Sequence, residues 1–483
     1  MTLNLGDSIL IDKWLLIVLT LAYAAIIVAA VIVVLRENRN PIRALSWIIA
    51  LVFLPGVGLV FFIFFGRSLR GLQLLTRHSK RKIMHKHSPR RVNINNLQLL
   101  PDHRSIIKLS HSLCHSPFTI NNEIEIFTSG KEKFDRFKED LRKAKHSILL
   151  QYYIFLDDEI GQEVADILIE RAKAGLNIKV MYDHVGSFSA NNSFFKRMQQ
   201  AGIATHPFFR VNFPQLANRL NWRNHRKLAI IDGEIGYIGG MNIADRYVKG
   251  LGKGKVWRDT HFRIKGDVVE SLIYSFAIDW NFLKKEPYVP EVKPVHTGIQ
   301  NDCGVQLLTG GPTERWNNLA LLFLRAIASA KKSILIQTPY FLPTDSLLNA
   351  LQAAALAKVD VRIMIPDHPD SRLLRYASFS YITQCLKAGV KVYLYEPGML
   401  HSKVMIIDDA FVTSGSTNFD FRSFENNFES NLLIYDQSVN RQMRDIFFDD
   451  LKQCRKVNIE KWRKRPIGQR ILESIFRLVS PIL

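Results

Sequence analysis

The chain has 483 residues, 47% hydrophobic and 23% charged, with 65 basic side chains against 44 acidic and a net charge of +21. That length suits roughly two to four domains with a sizeable core, and the composition excludes a collagen, a disulfide-stapled miniprotein and a wholly disordered chain. The charge calls for an anionic partner, nucleic acid or an acidic membrane surface, while Cys114, Cys303, Cys385 and Cys454 form no CxxC pair and fit a reducing compartment.

After a tail over 1–13, Trp14 to Leu35 and Ala44 to Phe65 each run 22 residues without a charge. About 20 apolar residues cross a bilayer as a helix, so two transmembrane helices are expected. A signal peptide is the rival reading, because Ala22-Tyr23-Ala24 resembles a cleavage site. The apolar run continues past it, and Asp7 and Asp12 spoil a basic leader, which favours a retained anchor. Pro55, Gly56 and Gly58 fall inside the second run, where they kink it or make it re-entrant. Arg36, Arg39 and Arg43 lie between the runs; Lys13, Arg67, Arg70, Arg77, Lys80, Arg81 and Lys82 flank them outside. Seven against three puts the large domain on the cytoplasmic side. The segment 66–118 begins with nine bases and no acid up to Arg91, a collar suited to anionic lipid.

From about residue 119 strand-like and helix-like runs alternate, as in an α/β sheet. The chain repeats itself there. AKHSILLQYYIF (144–155) matches AKKSILIQTPYF (330–341), IKVMYDH (178–184) matches VRIMIPDH (361–368), and AGIATHPF (201–208) matches AGVKVYLY (388–395). Two homologous halves follow, 119–295 and 300–455, joined by a proline-bearing linker over 284–302.

Each half then carries one cluster: His225-Arg-Lys227 with Asp232, Gly239-Gly240 and Asn242; and His401-Ser-Lys403 with Asp408, Ser414-Gly415-Ser416 and Asn418. His and Lys two apart share one face of a strand. One HxKxxxxD is a weak signal; two in register within a repeat are a strong one. Two histidines divide a phosphoryl reaction between a nucleophile and a proton donor, and two lysines hold the phosphate oxygens. No metal-binding motif and no P-loop occurs, so neither metal nor cofactor is expected. The last segment, 456–483, is basic and amphipathic, with Ile471, Leu472, Ile475, Leu478 and Val479 at helical spacing. That helix suits either the bilayer interface or the surface of the domain.

The duplicated HxKxxxxD resembles the phospholipase D superfamily, and the two apolar runs, the basic segment, Tyr395–His401 and the terminal Leu478–Leu483 resemble its bacterial cardiolipin synthase branch. The resemblance implies an α/β fold of two homologous phospholipase D-like halves, each a mixed β-sheet flanked by helices, packed with pseudo-twofold symmetry behind N-terminal transmembrane helices. It implies phosphatidyl transfer between two phosphatidylglycerol molecules, giving cardiolipin and glycerol through a phosphatidyl-histidine, in a bacterial inner membrane. It makes His225 the nucleophile and His401 the general acid and then base, an assignment the near-symmetry leaves reversible. Lys227, Lys403, Asn242 and Asn418 grip the phosphate. Asp232 and Asp408 match the motif aspartates and support local geometry. A hydroxyl at Ser416 makes the halves unequal. Asp259 and Glu429 match family acids and orient the histidines. Alternatives are a phospholipase D, a transferase using another donor such as phosphatidylethanolamine, and, remotely, a membrane-tethered nuclease. The charge lies beside the apolar segments, so no nucleic acid is expected; anionic lipids are, and the oligomeric state stays open.

Overall fold

The computed structural model describes residues 5–36, 41–54, 56–66, 92, 101–211, 221–252, 254–283, 288, 298–478 and 480. The bases of the expected collar and most of the expected linker lie outside these residues.

The N-terminal helices form one compact unit and the globular domain another. Leu5–Arg36 is a single helix. Its part Lys13–Arg36, 24 residues, is long and apolar enough to cross a membrane. The second apolar run is not one helix. Pro41–Phe53 is helical for 13 residues, which spans about 20 Å, short of the roughly 30 Å of a hydrocarbon core. The chain then turns at Gly56, whose φ of +76° suits a residue without a Cβ, and resumes as Val57–Phe61. A Cβ on Gly58 would stand 2.1 Å from the Ala50 carbonyl oxygen, so the two pieces pack back on each other. The second run therefore bends at its glycines instead of continuing as one straight helix.

In the globular domain the first half contributes β1 (Asn122–Phe127), β2 (Ser147–Tyr152), β3 (Asn177–Asp183), β4 (Ala204–Phe208), β5 (Arg223–Asn224), β6 (Lys227–Ile231), β7 (Ile235–Gly239), β8 (Val256–Arg258) and β9 (His261–Gly266). The second contributes β10 (Val305–Gly310), β11 (Ser333–Gln337), β12 (Phe341–Leu342), β13 (Asp360–Pro366), β14 (Lys391–Tyr395), β15 (Gly398–Leu400), β16 (Val404–Ile407), β17 (Phe411–Gly415), β18 (Phe419–Asp420), β19 (Asn427–Ile434) and β20 (Cys454–Lys456). The first sheet runs β1-β9-β7-β6-β2-β3-β4, and the second β10-β19-β17-β16-β11-β13-β14 before β20. Strand for strand the order is the same. In each, two parallel pairings (β2–β3–β4, β11–β13–β14) join antiparallel ones. The structure is thus the mixed α/β repeat that the sequence implies.

Apolar stretches such as Leu228–Ile231 and Val404–Ile407 are buried throughout because helices cover both faces of the sheets. Phe134, Phe137, Leu150 and Leu168 lie in the first core, Leu322, Ile336, Leu351 and Ile363 in the second. Within the segment expected to be juxtamembrane, the helix Pro101–Cys114 instead sends Ile106 and Ile107 into the second core.

Two short pairings tie the halves together. β5 of the first half adds to β19 of the second, and β15 of the second adds to β8 of the first. Each short strand leads directly into a motif histidine.

Candidate active site

The N–H of His225 donates to the carbonyl of Phe428 at 2.9 Å, and the N–H of His401 donates to that of Arg258 at 2.7 Å. Each histidine is therefore anchored to the residue that precedes an acid of the other half. The side chains repeat the exchange. His225 Nδ1 lies 2.9 and 3.1 Å from the carboxylate oxygens of Glu429. His401 Nδ1 lies 2.6 Å from Asp259 Oδ2. An ionised carboxylate only accepts, so each Nδ1 turns a hydrogen to its acid and Nε2 is the free nitrogen of each ring, although His401 Nδ1 also lies 2.7 Å from Lys403 Nζ.

Burial sets the charges. Both acids are wholly buried, whereas each histidine keeps a small open edge. Burial alone would push Asp259 up, but Lys403 and His401 outweigh it and hold its carboxyl below the ordinary range. Glu429 is held low in the same way by His225, Lys227 and the Ser416 hydroxyl. Both histidines are lowered as well, but for a different reason. Burial is the main cause, and it pushes His225 down and His401 to about 4, with a further push on His401 from Lys403. At neutral pH the free enzyme holds two neutral imidazoles on two carboxylates.

The lysines complete one positive cluster. Lys227 is fully buried, donates to the His225 carbonyl at 2.6 Å and lies 5.2 Å from the Tyr153 ring centre. Lys403 donates to the His401 carbonyl. Burial pushes Lys227 well below its ordinary value and Lys403 to about 8. Each lysine acts electrostatically on both acids, so the four groups share one site. Fixed cations in so dry a place act strongly on a phosphate.

The remaining expected residues are placed differently. Asn242 accepts from the Ile154 N–H at 3.0 Å and donates to the Tyr247 hydroxyl at 2.6 Å, which leaves one amide hydrogen. Asn418 is buried, with its Oδ1 unpartnered. The Ser416 hydroxyl donates to Glu429 and accepts from the Ser430 N–H at 2.9 Å, so it serves the acid. Asp232 and Asp408 are not brought to the histidines. They sit at the far ends of β6 and β16, each at positive φ (+53° and +51°). Asp232 accepts the N–H groups of Lys145, His146 and Ser147, and Asp408 those of Lys331, Lys332 and Ser333.

Sequence reasoning missed a layer behind the acids. The Arg226 guanidinium donates to the Glu429 carbonyl at 3.1 Å and pairs with Asp279, which also accepts from Gln151. The Arg258 guanidinium donates to the Asp259 carbonyl and pairs with Asp450 at 2.8 Å, which also accepts from Gln337. The matched Gln151 and Gln337 were visible in the repeat; the arginines come from non-equivalent positions and were not. Also missed were the rings around the histidines, with Tyr153 4.9 Å from His225 and Trp257 5.3 Å from His401 between centroids.

Comparison with known proteins places the chain among relatives. Residues 137–252 and 323–451 match the family model described as cardiolipin synthase, PLD-like domain, and residues 25–67 match a phospholipase D-nuclease N-terminal model. The major cardiolipin synthase of Bacillus subtilis is 39% identical over 97% of this chain and 99% of its own length. A cardiolipin synthase of Halalkalibacterium halodurans is 40% identical over 94% of this chain and 91% of its own. Among solved structures, the phosphatidylserine synthase of Haemophilus influenzae superposes with a TM-score of 0.61 at 18% identity, over 78% of this chain and all of that one, which is a likeness of fold.

Proposed function

The chain belongs to the family of cardiolipin synthases with phospholipase D-like domains, and from that membership we propose that it transfers a phosphatidyl group from one phosphatidylglycerol to another. The observation that carries this reading is the reciprocal pairing, in which each histidine of one half rests on the carboxylate of the other. His225 Nε2 attacks the donor phosphorus while Lys227 and Lys403 hold its non-bridging oxygens. The bond to the headgroup oxygen breaks, and His401 Nε2–H gives that oxygen its proton, so glycerol leaves and a phosphatidyl-histidine remains. The free hydroxyl of a second phosphatidylglycerol then loses its proton to His401 and attacks phosphorus, which releases His225 and yields cardiolipin. The free enzyme keeps His401 neutral at pH 7, so His401 takes up a proton from solvent as the anionic lipid binds and its charge offsets Lys403.

Asp259 and Glu429 hold the ring tautomers. Asn242 and Asn418 each offer an amide donor at the phosphate, Ser416 supports Glu429, and Asp232 and Asp408 brace the turns. The site is carried at the cytoplasmic face of a bacterial inner membrane, a reading that rests on the helix Lys13–Arg36 and on the bias of flanking bases.

The test uses the full chain in vesicles with labelled phosphatidylglycerol and EDTA. Cardiolipin and glycerol should form in equal amounts, and both His225→Ala and His401→Ala should abolish them. A quenched reaction should leave labelled lipid on His225, and label on His401 instead would reverse the roles. Phosphatidic acid as the main product would overturn the synthase reading, and turnover only with phosphatidylethanolamine would overturn the donor.

A further inference from the structure

The helix Ile467–Leu478 has two working faces. One is fixed to the domain. Glu473 is buried and takes Arg465 at 2.6 Å, the Phe476 ring stacks on Tyr376 of the helix Arg372–Ala388, and Arg477 reaches Gln384 at 3.2 Å. The other face is bare. Ile467, Ile471, Ile475 and Leu478 follow at i, i+4, i+8 and i+11, and they are 74, 53, 49 and 83% exposed. Leu472 borders this stripe on one side and the exposed Arg470 on the other. Exposed Lys461, Arg463 and Lys464 stand at its N-terminal end. A continuous aliphatic stripe in water marks a surface that something covers.

We propose that this stripe lies in the interface of an anionic bilayer, with the aliphatic side chains among acyl chains and the four bases on headgroup phosphates. Charge decides the occupant. A second copy would bring the same cations against these. Residues 67–91 of this chain carry nine bases and no acid, so they are repelled too. Anionic lipid offers apolar volume and negative charge in one layer, the combination an interfacial helix needs. The contacts to Tyr376 and Gln384 mean that the helix does not leave the domain to bind; it carries the domain's own surface to the membrane.

The experiment attaches an environment-sensitive fluorophore to Ile475→Cys in the full-length chain and subtracts the signal of the equally labelled unsubstituted chain. The protein is reconstituted in vesicles of phosphatidylcholine with or without phosphatidylglycerol, and acyl-chain nitroxide lipids serve as quenchers. The expected result is a blue-shifted emission quenched by the nitroxide, about twofold or more with phosphatidylglycerol and less at high salt. Emission typical of water, or a blue shift that nitroxide lipids do not quench, overturns the proposal. So does a shift that vanishes at one chain per vesicle, which would identify a second copy. Cardiolipin formation by the labelled chain is followed in parallel. Turnover without quenching sinks the surface and leaves the reaction standing; quenching without turnover does the reverse. A double Ile471→Glu, Ile475→Glu variant should raise the apparent KM for vesicle lipid about tenfold while sparing short-chain dispersed lipid.

Discussion

One methylene separates the two acids, and it dictates what stands beside each. Asp259 lies so near Gly240 that a Cβ there would fall 2.1 Å from Oδ1, whereas Glu429 at the matching place receives the Ser416 hydroxyl. The asymmetry expected from Ser416 is real in geometry, but it acts on the carboxylate behind His225. Ser416→Ala should lower kcat roughly tenfold, the loss of one hydrogen bond to a charged group, as steady-state kinetics can check. Gly240→Ser should cost more, since the added atoms displace Asp259, and an unimpaired Gly240→Ser enzyme would contradict this packing. Lys403 supplies a pH signature. Its value of about 8 means that it is charged below that pH and neutral above it. The phosphate grip is therefore lost as pH rises, and kcat/KM, which reports the free enzyme, should fall above about pH 8. Lys403→Arg keeps its charge at any accessible pH, so the alkaline limb should vanish in that variant even if its rate is reduced. A limb that stays near 8 would assign the titration to another group.

Strand ends explain the motif aspartates. Five residues after the lysine, β6 and β16 run out, and the chain turns through positive φ at Asp232 and Asp408, which short polar side chains tolerate. Each carboxylate binds three N–H groups at the start of the neighbouring strand, so it ties β6 to β2 or β16 to β11. Asp232→Ala should destabilise the domain by about 3 kcal/mol, visible as a lowered unfolding midpoint, while the protein that remains folded keeps its kcat within a few-fold. Loss of kcat at unchanged stability would instead place Asp232 in the chemistry. The buried Arg258–Asp450 pair behaves likewise. Asp450→Ala strands a guanidinium and should cost about 3–5 kcal/mol, with Asp259 loosened as well. At the membrane end, Ala44–Phe65 is long enough to span by composition, and the backbone bends at Gly56, in the stretch where Pro55, Gly56 and Gly58 led the sequence reading to expect a kink.

At the scale of the molecule, neither half is a complete site. Each half expressed alone keeps a histidine and loses the carboxylate that orients it. Separate halves should therefore be inactive, and only a mixture that re-forms the β5–β19 and β8–β15 pairings should recover cardiolipin formation. Activity in an isolated half would rule out the exchanged arrangement. The repeat and the His–Lys pairs were legible in the sequence because they are local: a period-2 face, an apolar strand behind it, and the same pattern twice; the strand order, which joins strands far apart in the chain, was not. Candidate acids could be named from the motif resemblance, but not paired, since no spacing along the chain tells Asp259 from Glu429 as the partner of His225. Only the tertiary structure decides that each acid crosses to the other half, because two short strands, β5 and β15, pair in parallel with β19 and β8 of the opposite half. It alone decides that Ser416 serves a carboxylate, that two buried arginines brace the acids, and that the last helix both packs on the domain and keeps an apolar stripe exposed. Sequence periodicity states which residues share a face; what lies opposite that face is set by contacts between residues far apart in the chain.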